Sequence, residues 1–482
     1  MRVLTCLIVC SFLVCEVLCG RAVGLEEHRA LPRLRVNGNR LIAPDGKVVV
    51  LWGVNYFRPG TGWAPQLWRQ FDPAATAKDL QLLRSYGVNC VRVFLTFGSF
   101  FQEPDRLAED GLRKWDAFLK LAEEAGIYVH PTGPDHWEGI PSWARRDRFA
   151  DEEMLAAQER FWQLFAEHNR GRAVVVAYDL LNEPSVGWDS PALRLKWNRW
   201  LREKYGSAQA VAEAWGLSVN EIRWGDIPPP RLDGTASRSA LIDYQDFRES
   251  VADEWVRRQV RVIRQADPEA LVTVGLIQWS IPVVLPDPRQ YSAFRPERLA
   301  QWLDFQEVHF YPLARGFFDY RRAEDWEANL AYVQAVVREC AKPGQPVVVA
   351  EFGWYGGGQL TFGNHPPAAE EDQARWCSSL VKATEGLASG WLNWGAFDHP
   401  EAKDVTQLTG LFRADGRPKA WAERFRQLGQ QLAEGLPSAM DVPQIAFDWT
   451  NARVDPGVGR RFLTSYTEEL RRLNVIPVRE DP

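Results

Sequence analysis

The chain has 482 residues, with 57 basic and 63 acidic side chains, a formal net charge of −6 and 46% hydrophobic residues. The charges are mixed and show no basic excess, which argues against a nucleic-acid partner. The apolar content can fill a large core, and the length suits one α/β barrel with insertions.

Met1-Arg2, the apolar run Val3 to Leu18 interrupted by Glu16, and the small residues around Gly20 read as a secretory signal peptide over 1–24. The run is short for a membrane span, so the mature protein is expected to be secreted or periplasmic without stable membrane insertion. Four of the seven Cys lie in this segment; Cys90, Cys340 and Cys377 remain, scattered and odd in number, so no disulfide framework is expected. No Cys-x-x-Cys or His-Glu-x-x-His pair occurs, so no metal site is expected.

From Leu34, "LRVNGNRLIAPDGKVVVLWGVN" reads as a hairpin turning at Asp45-Gly46 and leading into a buried strand. Asp72, Pro73 and Gly87 then punctuate a helix at its start and end. The alternation continues with "VNCVRVFL", "IYVHP", "VVVAYDLL", "LVTVG", "FQEVHFY", "PVVVAEFG" and "GWLNWGAF", each preceded by a helical stretch. Near-continuous apolar strands between helices suit a parallel sheet covered on both faces, and eight of them predict a (β/α)₈ barrel. That catalytic domain is read over 25–435, with a tail over 436–482 that packs on the barrel. One connection, 185–270, is too long for a simple barrel loop and is expected to lie over the active face as an insert.

Glu183, in "LNEP", follows the fourth of these strands, and Glu351, in "AEFGW", ends the seventh. Residues at the C-terminal ends of barrel strands converge on one face. A carboxyl pair about 5–5.5 Å apart can cleave a glycosidic bond with retention, one group as acid/base and the other as nucleophile. Glu183 is read as acid/base and Glu351 as nucleophile.

On these residues the chain resembles a clan A retaining glycoside hydrolase, most of all the cellulase and mannanase type of family five. The 185–270 segment is similar to that of family forty-two β-galactosidases. The resemblance implies that Arg92 sits beside the nucleophile and that Asn182 binds the sugar 2-hydroxyl. It implies that His309 and Tyr311 line the subsite and orient the nucleophile, and that Trp394 forms a platform under the sugar. In "YVHPTGPDHWEG" both His130 and His136 are candidates to face the sugar, with Trp137 beside His136. The implied activity is hydrolysis of β-linked saccharides without a cofactor, with a β-mannoside or β-mannan first and a β-galactoside or β-glucan next. A binding protein with a dead site would tolerate loss of Glu183, which this chain retains. A transglycosylase would use the same residues with a sugar acceptor.

Overall fold

The computed structural model describes residues 31–61, 66–312, 318–437 and 442–475. The segment read as a signal peptide and the end of the tail lie outside this range. An antiparallel hairpin, β1 (Arg35–Asn37) and β2 (Arg40–Ile42), comes first. It turns at Gly38, whose φ of 57° is a left-handed conformation that glycine adopts at no steric cost. Asp45-Gly46 makes a second reversal, with Gly46 N–H donating to Ala43 O at 2.9 Å. Asn37-Gly38 is as good a turn dipeptide as Asp45-Gly46, and the tighter of the two reversals falls there.

Eight parallel strands then close a barrel: β3 (Leu51–Asn55), β4 (Cys90–Thr96), β5 (Tyr128–Asp135), β6 (Tyr178–Asn182), β7 (Val272–Leu276), β8 (Gln306–Phe310), β9 (Val347–Phe352) and β10 (Gly390–Asn393). β10 closes the ring against β3. Helices shield the outside. Asp72 accepts from Ala74 and Ala75 N–H to start helix Pro73–Ser85, and Asp151 accepts from Met154 N–H to start helix Glu152–Asn169.

The barrel interior is layered. Leu51, Cys90, Tyr128, Phe305 and Val348 fill its N-terminal end, and the hairpin residues Leu34 and Leu41 plug it. Above them lies a polar layer. Asn55 pairs in register with Arg92, and Arg92 with His130, so successive strands point these side chains inward together. Gly275 makes room for that layer: a Cβ there would come 2.9 Å from Asp179 Oδ2 and 3.0 Å from Arg92 Nη2.

The 185–270 segment holds helices Pro191–Tyr205 and Ala208–Trp215 and then helix Arg238–Ala266, 29 residues long. The second half of this last helix packs on helix Glu152–Asn169, with Arg258 bonding Glu152 and Glu159 at 2.7 Å each. It therefore serves as a barrel helix as well as part of the insertion. The described part of the tail includes helix Pro456–Leu473, which meets helix Ala323–Ala341 through Tyr466 OH donating to Gln334 at 3.0 Å. Cys90, Cys340 and Cys377 are buried free thiols. Among the described residues no helix is long and apolar enough to cross a membrane.

Candidate active site

Arg92 is fully buried at the barrel centre and spends its guanidinium on five neighbours. Nη1 donates to Glu351 Oε1 at 2.7 Å and Asn55 Oδ1 at 2.9 Å. Nη2 donates to Asp179 Oδ2 at 2.7 Å and Asn182 Oδ1 at 2.9 Å. Nε lies 3.3 Å from Glu307 Oε1. Burial disfavours the cation, but Asp179, Glu351 and Glu307 outweigh it and raise the Arg92 pKa. Glu307 is in turn held well below the usual carboxylate range: burial works upward, and His130, His309 and Arg92 overcome it. This layer is a fixed electrostatic floor under the face where β6, β8 and β9 end.

On that face the two sequence-selected carboxylates meet. Glu351 is buried at the end of β9, with Oε2 accepting from Tyr311 OH at 2.8 Å. Burial raises its pKa against the pull of His309 and Arg92. Glu183 follows β6 with a φ of 48°, uncommon for a residue with a Cβ, and its side chain is 27% exposed. His309 Nδ1 stands between the two, 3.2 Å from Glu183 Oε1 and 3.4 Å from Glu351 Oε1. These ligand-type atoms of Glu183, His309 and Glu351 all lie within 4.8 Å of one another. Burial would lower the His309 pKa, yet the Glu351 charge carries it up to about 9. An imidazole between two carboxyl groups can donate a hydrogen bond to either of them. In the deeper cluster of His130, Asp179 and Glu307, Arg92 lies 2.7 Å from Asp179 and 3.3 Å from Glu307, and His130 Nε2 is 2.8 Å from Glu307.

Around the pair, Asn182 presents its oxygen to Arg92, which leaves its N–H donors to point elsewhere. Trp394 is 5% exposed, donates from Nε1 to Thr406 Oγ1 at 2.9 Å, and packs with Phe57 and Phe94. The structure separates the two histidines of β5 and its following turn. His130 is buried, with Nε2 2.8 Å from Glu307 and Nδ1 3.1 Å from Ala177 O, so it belongs to the floor. His136 is half-exposed beyond the strand end and stacks on Trp137 with ring centres 4.8 Å apart. Arg92, Asn182, Glu183, His309, Tyr311 and Glu351 thus form one connected constellation, and the stacked His136 and Trp137 follow the end of β5. Sequence reasoning missed Asn55, Asp179, Glu307 and Gln278, whose Oε1 accepts from Tyr311 N–H at 2.7 Å. Their one signal was a polar residue interrupting an apolar strand or its edge.

Residues 144–376, a stretch that includes both carboxylates, match a family model described as β-galactosidase. β-Galactosidase BgaA of a Thermus species is 26% identical over 446 residues, 82% of this chain and 63% of that protein. The chain resembles the clan A glycoside hydrolases. It spans less than two thirds of the length of that Thermus relative. Solved clan-type barrels share the fold. The polyextremophilic β-galactosidase of the Antarctic haloarchaeon Halorubrum lacusprofundi superposes with a TM-score of 0.62 at 18% identity, over 81% of this chain and 59% of that one. The exo-β-1,4-mannosidase Op5Man5 of Opitutaceae bacterium strain TAV5 superposes with a TM-score of 0.61 at 18% identity, over 90% and 70%. Sequence reading tied only the 185–270 segment to β-galactosidases; the match extends well beyond it on both sides.

Proposed function

We propose that the protein is a retaining β-glycosidase acting on β-galactosides by double displacement. The observation that carries the mechanism is the approach of Glu183 and Glu351 oxygens to within 4.8 Å. Retaining enzymes need about 5–5.5 Å between the carboxyl groups, whereas inverting ones leave about 6.5–9.5 Å for a water. In the first step a Glu351 oxygen attacks the anomeric carbon while Glu183 gives its proton to the departing oxygen. In the second, Glu183 takes a proton from water, whose oxygen displaces Glu351 and restores the β configuration. Arg92 and His309 are aimed at the carboxylate form of Glu351, and Tyr311 OH fixes its other oxygen. The sequence relatives support galactose as the glycone.

A β-mannoside, the first choice from sequence, is the second reading. It is favoured by the mannosidase superposition over 90% of this chain. Hydrolysis of aryl β-galactoside, β-mannoside and β-glucoside, followed by proton NMR, separates these cases. The expected first product is a β-hemiacetal, with galactoside turned over fastest. A 2-deoxy-2-fluoro glycosyl fluoride of the preferred sugar should then label Glu351. First-formed α product, label on Glu183, or no hydrolysis of any glycoside would refute the reading.

A further inference from the structure

We infer that Arg248, on the long helix Arg238–Ala266, is a positioning residue for Glu183, so that this helix of the 185–270 segment holds the proposed acid/base in place. This inference rests on the reading of Glu183 as acid/base. Glu183 occupies a left-handed backbone conformation, φ 48°, that an L side chain adopts only when its surroundings impose it. Its own N–H donates to Gly275 O at 2.8 Å, which fixes the side facing β7. Beyond it, Val186 N–H donates to Ser292 O at 3.0 Å, and the carbonyls of Val186, Gly187 and Trp188 are left to side chains.

Arg248 takes two of those carbonyls. It is fully buried. Nη2 donates to Val186 O and, at 2.8 Å, to Tyr291 O; Nε donates to Gly187 O at 3.2 Å. Its plane lies over the Trp188 ring, 5.3 Å from the centroid. Nη1 takes Gln245 Oε1 at 2.6 Å. Nearby Glu249 is spent on Arg453 at 2.7 Å and Arg298 at 3.7 Å. Burial accordingly lowers the Arg248 pKa to about 10, with Tyr244, Tyr291 and Glu249 working the other way. A guanidinium buried among carbonyls is a costly way to fill space, and an apolar side chain would do that better. What it achieves is geometric. One rigid fork ties the segment after Glu183 to the segment after β7, and the helix adds a second tie through Tyr244 OH to Trp188 O. Displacement of a catalytic group by about 1 Å can cost roughly 100-fold in rate.

The test is the leaving-group dependence of hydrolysis. Aryl β-glycosides of graded leaving-group acidity are compared for wild type, Arg248→Lys and Tyr244→Phe, with melting temperature as the folding control. Misplaced acid should matter only where a proton is needed. For Arg248→Lys, kcat/KM is expected to fall about 100-fold for the poorest leaving group and within a few-fold for dinitrophenyl glycosides. Tyr244→Phe should show the same slope more weakly, and it decides the matter if Arg248→Lys does not fold. An equal loss across the whole series, or no loss in a folded variant, overturns the inference and makes Arg248 purely structural. A wild type that cleaves no β-glycoside would remove the underlying reading and the inference with it.

Discussion

Asp135 ends β5 with its side chain fully buried and His136 Nδ1 3.2 Å from its Oδ1. Burial pushes its pKa up to about 7, against the pull of Arg148 and of the His136 and Trp137 N–H groups. An unfolded Asp titrates near about 3.9, so between these values the folded protein keeps a proton that the unfolded chain has lost. The stability this group contributes is complete below the unfolded pKa and disappears as pH rises through about 7. Asp135→Asn keeps the shape and removes the charge. Its melting temperature relative to wild type should therefore rise between about pH 4 and pH 7 and level off above, by the equivalent of on the order of 1–4 kcal/mol. A difference that stays flat with pH would show that Asp135 titrates as an ordinary carboxylate. Glu183 and Glu351 could be picked out because each stands at the end of an apolar run, whereas Arg92, inside β4, was reached through the family resemblance. His130 and His136 could not be told apart, since only the pairing of His130 with Arg92 shows that it points inward. Asp179 and Glu307 were hidden for the same reason: without register, a polar residue inside a strand looks like the strand's end.

The elements were clearer than their edges. All the barrel strands are visible as apolar runs because they are buried on both faces. The extent of the insertion was not, because the hydrophobic period continues unbroken through helix Arg238–Ala266 from inserted to barrel turns. The inserted part has a core of its own. Trp197 stacks on Trp215 and Trp200 with ring centres 6.1 and 5.4 Å away, and Tyr244 meets its edge at 5.0 Å. Asp243 ties it together by accepting from Lys204, Tyr205 and Trp215 at 2.6–2.7 Å. Trp188 Nε1, directly downstream of Glu183, donates to Pro230 O at 3.2 Å, so this body begins at the rim of the site. A packed body there should obstruct the middle of a polymer more than its end. With a soluble β-linked polysaccharide of the preferred sugar, small sugar should appear while viscosity falls slowly. A rapid fall in viscosity with little small sugar would show that the cleft is open at both ends.

At the scale of the whole chain, the tail reaches the site through the insertion. Arg453 donates to Glu249 at 2.7 Å and Asp246 at 2.6 Å, and Gln245 donates to Arg453 O at 3.0 Å. Gln245 is the side chain that receives Arg248 Nη1, so tail, long helix and the segment after Glu183 are joined in series. On the other side, Arg338 donates to Pro443 O at 2.7 Å and Ile445 O at 2.8 Å, pinning the start of the tail to helix Ala323–Ala341. Trp449, Phe462, Leu463, Tyr466 and Leu470 are buried there. At about 1.5–3 kcal/mol for each large apolar side chain, removing the tail forfeits roughly 7–15 kcal/mol, comparable to the whole stability of an ordinary domain. A chain ending at Gly435 should therefore fail to yield a cooperatively folded protein. Arg453→Met is the milder probe, because it breaks the tie to Glu249 and Asp246 while keeping a long apolar stem. It should unfold at a lower temperature than wild type, since Glu249 is left buried without its closest cation. If the chain ending at Gly435 melts cooperatively near the wild-type temperature, the tail is an appendage and the barrel with its insertion stands alone.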